Sequence, residues 1–396
     1  MATVQPISPK ASFGYIPCFD GARCLAILMV FLSHLEFTPY IPGGFGVTVF
    51  FFISGLLITR LLLAEFKKRG DIKLPEFYLR RFFRLMPAMI FMIIATSVVY
   101  IAVWGRTIPF SEYASALLYY KNYFRYAAAL GNGGYPTSVW GITWSLSIEE
   151  HFYLLFPAAL ILMGPLSKRA MYVFSALVVL PLILRVMYWD LIPYPAVYNY
   201  LATDARMDSI LIGCCLALYA EHIPFEKLNK YLGAPWMFWA SVAGIAATLL
   251  YREPFFQECV RYSVEQLFLV VIFFQIIYTP NHRWIAGILE WNAMRFIGRI
   301  SYSIYLWHMF CLEVAHRYCT TLPGTIVVAT SMTAVLACLS YFLIEMPFVN
   351  LRKRFGSHAD KVEITPTQVL HASADGTDPT GEANPRTPQS VMVNKG

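Results

Sequence analysis

Ten apolar stretches, each long enough or nearly long enough to cross a bilayer, leave this chain little choice of fold. They lie at about 19–36, 43–65, 77–104, 140–163, 169–189, 206–220, 233–251, 262–279, 296–317 and 323–347, the sixth being the shortest. Hydrophobic residues make up 58% of the 396 and charged residues only 14%, against roughly 45–50% and 25% in soluble domains. A single soluble core of this size cannot hide that excess. The expected class is all-α: a polytopic membrane protein of about ten transmembrane helices.

Charge then sets the orientation. The formal net charge of +7 invites a nucleic-acid reading, but the basic residues sit between apolar spans, where they report topology instead. One alternate set of loops carries Lys10, Lys67, Lys68, Arg69, Lys73, Arg80, Arg81, Lys168, Arg169, Lys227, Lys230, Arg283 and Arg295. The other set carries Arg106, Lys121, Arg125, Arg252 and Arg261. The positive-inside rule places both termini in the cytoplasm, in agreement with an even number of spans.

Three regions are expected: an N-terminal cytoplasmic tail at 1–17, a membrane domain at 18–350, and a disordered cytoplasmic tail at 351–396, rich in Pro, Gly, Ser, Thr, Asp and Glu. No cleaved leader is expected, because the first apolar run meets the second without a small-residue cleavage site. The longest outer loop, about 105–139, contains GNGGYP and is suited to line an entrance. The eight cysteines show no Cys-x-x-Cys or Cys/His metal spacing, so no metal is expected, and most read as small apolar residues. One pairing, Cys259 with Cys319 on an outer face, is left open.

The first span, FDGARCLAILMVFLSHLE, carries Arg23 near its start and His34 near its end. Eleven residues are about 1100° of helix, so both side chains leave one face about 16 Å apart. Singly, Arg23 reads as a snorkelling cation and His34 as an interface residue. Together, and followed by the glycine-rich turn IPGGFGV, they favour a functional pair, with His34 as the proton acceptor.

In LRRFFRLMP, Arg80, Arg81 and Arg84 cluster at the cytoplasmic boundary, and Arg60 of the second span is a possible fourth member. Such a cluster is ordinary stop-transfer charge or a phosphate site, for which the guanidinium fork is well shaped. In TWSLSIEEHFYLLFP, Ser145 and Glu149 lie one turn apart, and either Glu149 or Glu150 is near the outer edge of the span. A carboxylate there holds His34 in its working tautomer, contacts a substrate hydroxyl, or merely faces water. Arg206 and Asp208 read as a local ion pair capping a helix. Tyr302, Tyr305 and His308 fit either a polar site or an aromatic belt.

These segments together resemble the membrane acyltransferase-3 family, polytopic enzymes that O-acylate saccharides, antibiotics and related molecules. The carrying residues are IPCFDGARCLAILMVFLSH with its Arg-x10-His spacing, GGFGVTVFFFISGLLITRLLL, FYLRRFFRLMP, TWSLSIEEHFYLLFP, ARMDSILIG and RFIGRISYSIYLWH, in one order from residue 16 to about 350. The resemblance implies acyl-coenzyme A taken from the cytoplasm and transfer to an acceptor hydroxyl at or beyond the membrane. It also implies essential roles for Arg23 and His34 and an Arg-x-x-Arg pair at Arg81 and Arg84. Thr48 departs from the aspartate many relatives carry after Gly-Val, and no esterase-like extracellular domain is expected.

The resulting expectation is an integral-membrane O-acyltransferase of a bacterial inner membrane, with acetyl-CoA or another acyl-CoA as co-substrate and membrane lipid as surroundings. Arg80, Arg81, Arg84 and Arg60 bind the donor's phosphates. Arg23, His34 and Glu149 act at the reacting groups, by direct transfer or through an acyl-histidine. Ser145, Asp208, Tyr302 and Tyr305 supply polar contacts. The expected acceptor is a glycan such as lipopolysaccharide O-antigen or an exopolysaccharide, the alternatives being a macrolide or a lipochito-oligosaccharide. A transporter or flippase is the rival class, since intramembrane charge and glycine also suit a permeation path.

Overall fold

Charge and glycine decide where the first helices stop. The computed structural model describes residues 16, 18–37, 40–132 and 138–352, so the expected tails and most of GNGGYP lie outside the described residues. Helix α1 (Phe19–Leu32) runs directly into a π-helical turn, Ser33–Phe37. Helix α2 (Gly43–Arg69) ends on Lys67, Lys68 and Arg69 and is closed by Gly70 at φ 78°, a conformation glycine adopts without a steric penalty. Helix α3 (Leu74–Val98) starts with Pro75 in its first turn and continues as a π turn, Val99–Val103.

Short helices α4 (Phe110–Leu117) and α5 (Lys121–Asn132) fill the following loop, before α6 (Trp144–Met163). Next come α7 (Lys168–Leu177) and α8 (Val179–Leu191), then α9 (Pro195–Leu201), α10 (Thr203–Arg206) and α11 (Asp208–His222). Helices α12 (Phe225–Leu232) and α13 (Pro235–Leu250) meet at 54°. A π turn, Phe256–Val260, leads into α14 (Arg261–Tyr278). The chain closes with α15 (Arg283–Leu289), α16 (Asn292–Arg299), α17 (Ser301–Tyr318), α18 (Leu322–Ser340), a π turn at Tyr341–Glu345, and α19 (Met346–Arg352). No strand occurs among the described residues.

By length and composition, six segments are able to cross a membrane: Gly43–Arg69, Leu74–Val103, Gly141–Met163, Lys168–Leu191, Phe256–Tyr278 and Leu322–Leu351. The bent pair α12–α13 makes seven if it forms one span. Of the other expected spans, those at 19–36, 206–220 and 296–317 correspond to helices of 14, 15 and 18 residues. Shortness has a physical reason in α11. It is wrapped by protein, with Ile210 and Leu218 fully buried, so its length answers to neighbouring helices and not to hydrocarbon thickness.

Small residues allow that wrapping. A Cβ on Gly55 of α2 would lie 1.9 Å from the Ile210 carbonyl oxygen, and one on Gly213 of α11 would lie 2.2 Å from that of Phe52. The two backbones therefore touch, as membrane helices do when dispersion rather than water drives association. Around this contact Phe51, Phe52, Ile53 and Leu56 are buried. On the outside, Ile94, Val98, Leu154, Leu162 and Val179 stand exposed, which an aqueous surface tolerates poorly and lipid does not.

Buried polar groups are mostly paired. Asp208 accepts from Arg185 Nη2 at 2.8 Å and from Ser263 Oγ at 2.7 Å. The expected Arg206–Asp208 pair is thereby corrected, because the guanidinium that reaches Asp208 comes from α8. Arg206 instead donates to Thr48 Oγ1 at 3.0 Å and lies 3.7 Å from the Tyr262 ring centre. Lys121 is enclosed and paired with Glu112; burial pulls its ammonium below the ordinary lysine range although Glu112 acts the other way. All eight cysteines are free, so Cys259 and Cys319 form no disulfide; Cys259 Sγ instead contacts the Arg185 carbonyl at 3.4 Å.

Candidate functional site

Helices α1, α2, α3, α6 and α17 enclose a cavity of about 110 Å³. Arg23 of α1 and Arg81 and Arg84 of α3 line one part of it. None of these three is in an ion pair with a carboxylate among the described residues. An arginine so placed in an apolar bundle is costly unless an anion or a dipole is brought to it. Arg81 finds part of its compensation over the Tyr153 ring, 4.5 Å from its centre. Arg299, at the end of α16, joins the same wall. It is drawn in by backbone contact: a Cβ on the preceding Gly298 would lie 1.8 Å from the Asp20 carbonyl oxygen of α1.

Two carboxylates face this arginine wall, Glu149 of α6 and Glu345 of the last π turn. Glu149 Oε1 accepts from Ser54 Oγ at 2.9 Å and Oε2 from the Tyr153 hydroxyl at 3.4 Å. Glu345 accepts from Ser303. Glu149, and not Glu150, is thus the member of the acidic doublet turned into the cavity, because successive residues diverge by about 100° on a helix.

The far end is closed by hydroxyls. Ser145 Oγ and the Tyr305 hydroxyl lie 2.6 Å apart, and the phenol of Tyr305 donates to the Ile142 carbonyl at 2.8 Å. Tyr302 donates to the Leu85 carbonyl at 2.8 Å. Both phenols are pinned to backbone, which fits the role of wall better than that of an aromatic belt.

His34 does not line this cavity. Its ring is exposed, with Nδ1 2.9 Å from the Val30 carbonyl. Since a carbonyl only accepts, Nδ1 carries the proton and Nε2 offers its lone pair. The ring centre is 5.1 Å from that of His308, which in turn is 5.6 Å from that of Tyr305. His34 is therefore joined to the cavity through two side chains, His308 and Tyr305. Glu149 does not hold His34, both its oxygens being engaged on the arginine side.

Other expected site residues stand apart. Arg80 points away and binds Glu65 at 2.6 Å and Glu76 at 3.4 Å. Arg60 donates to the Tyr278 hydroxyl at 2.8 Å. Asp208 is bound up in the α8–α11 network described above. Conversely, the sequence reading passed over Arg299, Glu345, Tyr153 and Ser54. Glu345 had a signal, an acidic residue inside an apolar run; Ser54 had none. No group of three or more metal-ligating side chains occurs among the described residues.

Comparison with known proteins points the same way. A family model, Acyl_transf_3, described as an acyltransferase domain, matches residues 16–345. The chain is 30% identical over 371 residues to a peptidoglycan O-acetyltransferase of Listeria monocytogenes, covering 86% of this chain and 58% of the relative. It is 33% identical over 358 residues to a putative O-acetyltransferase of Staphylococcus aureus, covering 84% and 57%. Over 357 residues it is 32% identical to a putative peptidoglycan O-acetyltransferase of Bacillus subtilis, covering 84% and 55%. The chain thus spans somewhat over half the length of these relatives. No solved structure matches.

Proposed function

The chain belongs to the acyltransferase-3 family, and we propose that it is an integral-membrane O-acetyltransferase taking acetyl from cytoplasmic acetyl-CoA to a hydroxyl of a cell-surface glycan. The bundle of residues 18–350 crosses a bacterial inner membrane ten times with both termini inside, the shorter helices at 19–36, 206–220 and 296–317 and the bent pair counted as crossings. The observation that carries this reading is the cavity that gathers Arg23, Arg81, Arg84 and Glu149 at one end and stops at Tyr305, two side chains short of His34.

Arg81, Arg84 and Arg299 fit the donor's phosphates, since each offers a planar fork to a doubly charged oxygen acid. Arg23, deeper along α1, orients the thioester arm. Glu149 keeps the guanidinium wall from collapsing on itself and holds Ser54 and Tyr153 in register. At the outer end the acceptor hydroxyl gives its proton to His34 Nε2 as its oxygen bonds to the thioester carbonyl. The carbon–sulfur bond then breaks, and the leaving thiolate takes the proton back from His34. General-base help of this kind is worth about 10²–10⁴-fold.

The names of the relatives support a cell-wall glycan over lipopolysaccharide or an exopolysaccharide as acceptor. Mass spectrometry of surface glycans with and without the gene tests this: an acetyl ester lost with the gene is expected, and an unchanged acetylation pattern contradicts it. The rival reading as a transporter predicts movement of a solute with no covalent label on glycan.

A further inference from the structure

The cavity changes character along its length, and contacts between its walls show where. Ser54 of α2 meets Glu149 of α6 at 2.9 Å, and Phe51 meets Trp144 edge-on with ring centres 6.4 Å apart. The two helices therefore run in the same direction, with Phe51 and Trp144 on one side of the Ser54–Glu149 bond. On the other side lies Tyr153, one turn beyond Glu149, with Arg81 4.5 Å from its ring centre. That is the cationic end. The Trp144 side is lined by apolar groups, Val47 and Phe50 of α2 and Leu146 of α6. Val47, Phe50 and Ser54 share a face of α2, which passes from apolar to polar over about 10 Å.

Helix α1 packs on α2 in the opposite direction: a Cβ on Gly43 would lie 2.0 Å from Ser33 Oγ, and one on Gly46 would lie 2.6 Å from the Ala26 carbonyl oxygen. Val47 is thus level with the stretch of α1 between Arg23 and His34, and Phe50 is one turn nearer Arg23. Resting on the function proposed above, we propose that Val47, Phe50 and Leu146 form the acyl subsite and that their bulk restricts the donor to short acyl groups. On that function the thioester carbonyl lies between Arg23 and His34, so the chain attached to it meets these three side chains. The subsite cannot widen by backing away. The α1 and α2 backbones already touch at Gly46, and Val47, Phe51 and Leu146 are buried. The whole cavity holds about 110 Å³, so added methylenes press on packed side chains and force them off their rotamers. One methylene too many or too few in an apolar pocket changes kcat/KM by about 10–200-fold.

The test is a competition. Acetyl-CoA and butyryl-CoA are supplied together, at equal concentration, to detergent-purified full-length protein with isolated cell-wall glycan, and both esters are counted by mass spectrometry. Their ratio reports relative kcat/KM and does not depend on how much of the enzyme is folded. Wild type is expected to favour acetyl by at least about tenfold. Phe50→Ala and Leu146→Ala are each expected to raise the butyryl share about tenfold or more, and Val47→Ala, which removes less, to raise it by a smaller factor. Ile94→Ala, on the exposed surface, is expected to leave the ratio unchanged. A wild type that transfers both groups equally overturns the inference. So does an unchanged ratio in Phe50→Ala and Leu146→Ala, or in whichever of the two folds. A wild type that places neither ester on glycan removes the proposed function and this inference with it, whereas acetyl transfer with an unmoved ratio removes this inference alone.

Discussion

The hydroxyl of Tyr305 on α17 and Oγ of Ser145 on α6 lie 2.6 Å apart in the wall of the arginine-lined cavity. Beyond this pair lie His308 and His34. On the function proposed above, the donor lies on the arginine side of this hydrogen bond and the imidazoles on the other.

Tyr305→Phe removes the hydroxyl and leaves the Ser145 hydroxyl and the Ile142 carbonyl without this partner. We expect a stability loss of about 1 kcal/mol and, more tellingly, faster release of free acetate from acetyl-CoA relative to transfer. Measuring acetate and acetyl-glycan in the same reaction checks this; an unchanged ratio denies Tyr305 the role of partition.

Arginines one turn apart have opposite fates. Arg84→Lys replaces a fork by a point charge in the cavity wall, and KM for acetyl-CoA is expected to rise about tenfold. Arg80→Gln removes the nearest of the cationic partners of Glu65, whose side chain is 7% exposed, so its effect falls on thermal stability with KM unchanged. Steady-state kinetics and melting curves of the two variants separate these roles. Equal effects on KM would return Arg80 to the donor site.

Within the acidic doublet, Glu149→Gln keeps the contact with Ser54 but removes the charge facing Arg81 and Arg23. A loss of about tenfold or more in kcat is expected, from misplacement of the guanidiniums. Glu150→Gln, one residue on and outside the cavity lining, is expected to stay within about twofold of wild type. Initial rates at saturating acetyl-CoA decide between the two residues.

Asp208→Ala strands the fully buried Arg185. Breaking such a pair costs about 3–5 kcal/mol, read as a lowered unfolding temperature of the solubilised protein. The fraction that still folds should transfer acetyl at the normal specific rate, because this network does not border the cavity.

How much of this was legible in the sequence follows from what each residue answers to. The apolar runs at 43–65, 77–104, 140–163, 169–189, 262–279 and 323–347 read correctly as membrane-length helices, because lipid imposes length and polarity directly on the chain. Helix α11, at 15 residues, is as short as the run at 206–220 suggested, because protein, not lipid, surrounds it. Arg23, Arg81, Arg84, Ser145, Glu149, Tyr302 and Tyr305 stood out as polar groups in apolar context, and the structure brings them to one cavity. What local periodicity cannot carry is the partner in another helix: Arg185 for Asp208, Glu65 for Arg80, His308 for His34. Nor does it foresee the π turn at Ser33–Phe37.

The central claim is that His34 is the base in acetyl transfer, and its most direct test is transfer of radiolabelled acetyl from acetyl-CoA to glycan by wild type and His34→Ala at equal expression. Wild type should label the glycan. His34→Ala should fall at least about 10²-fold while its melting temperature stays that of wild type. Labelling by His34→Ala at the wild-type rate would contradict the account.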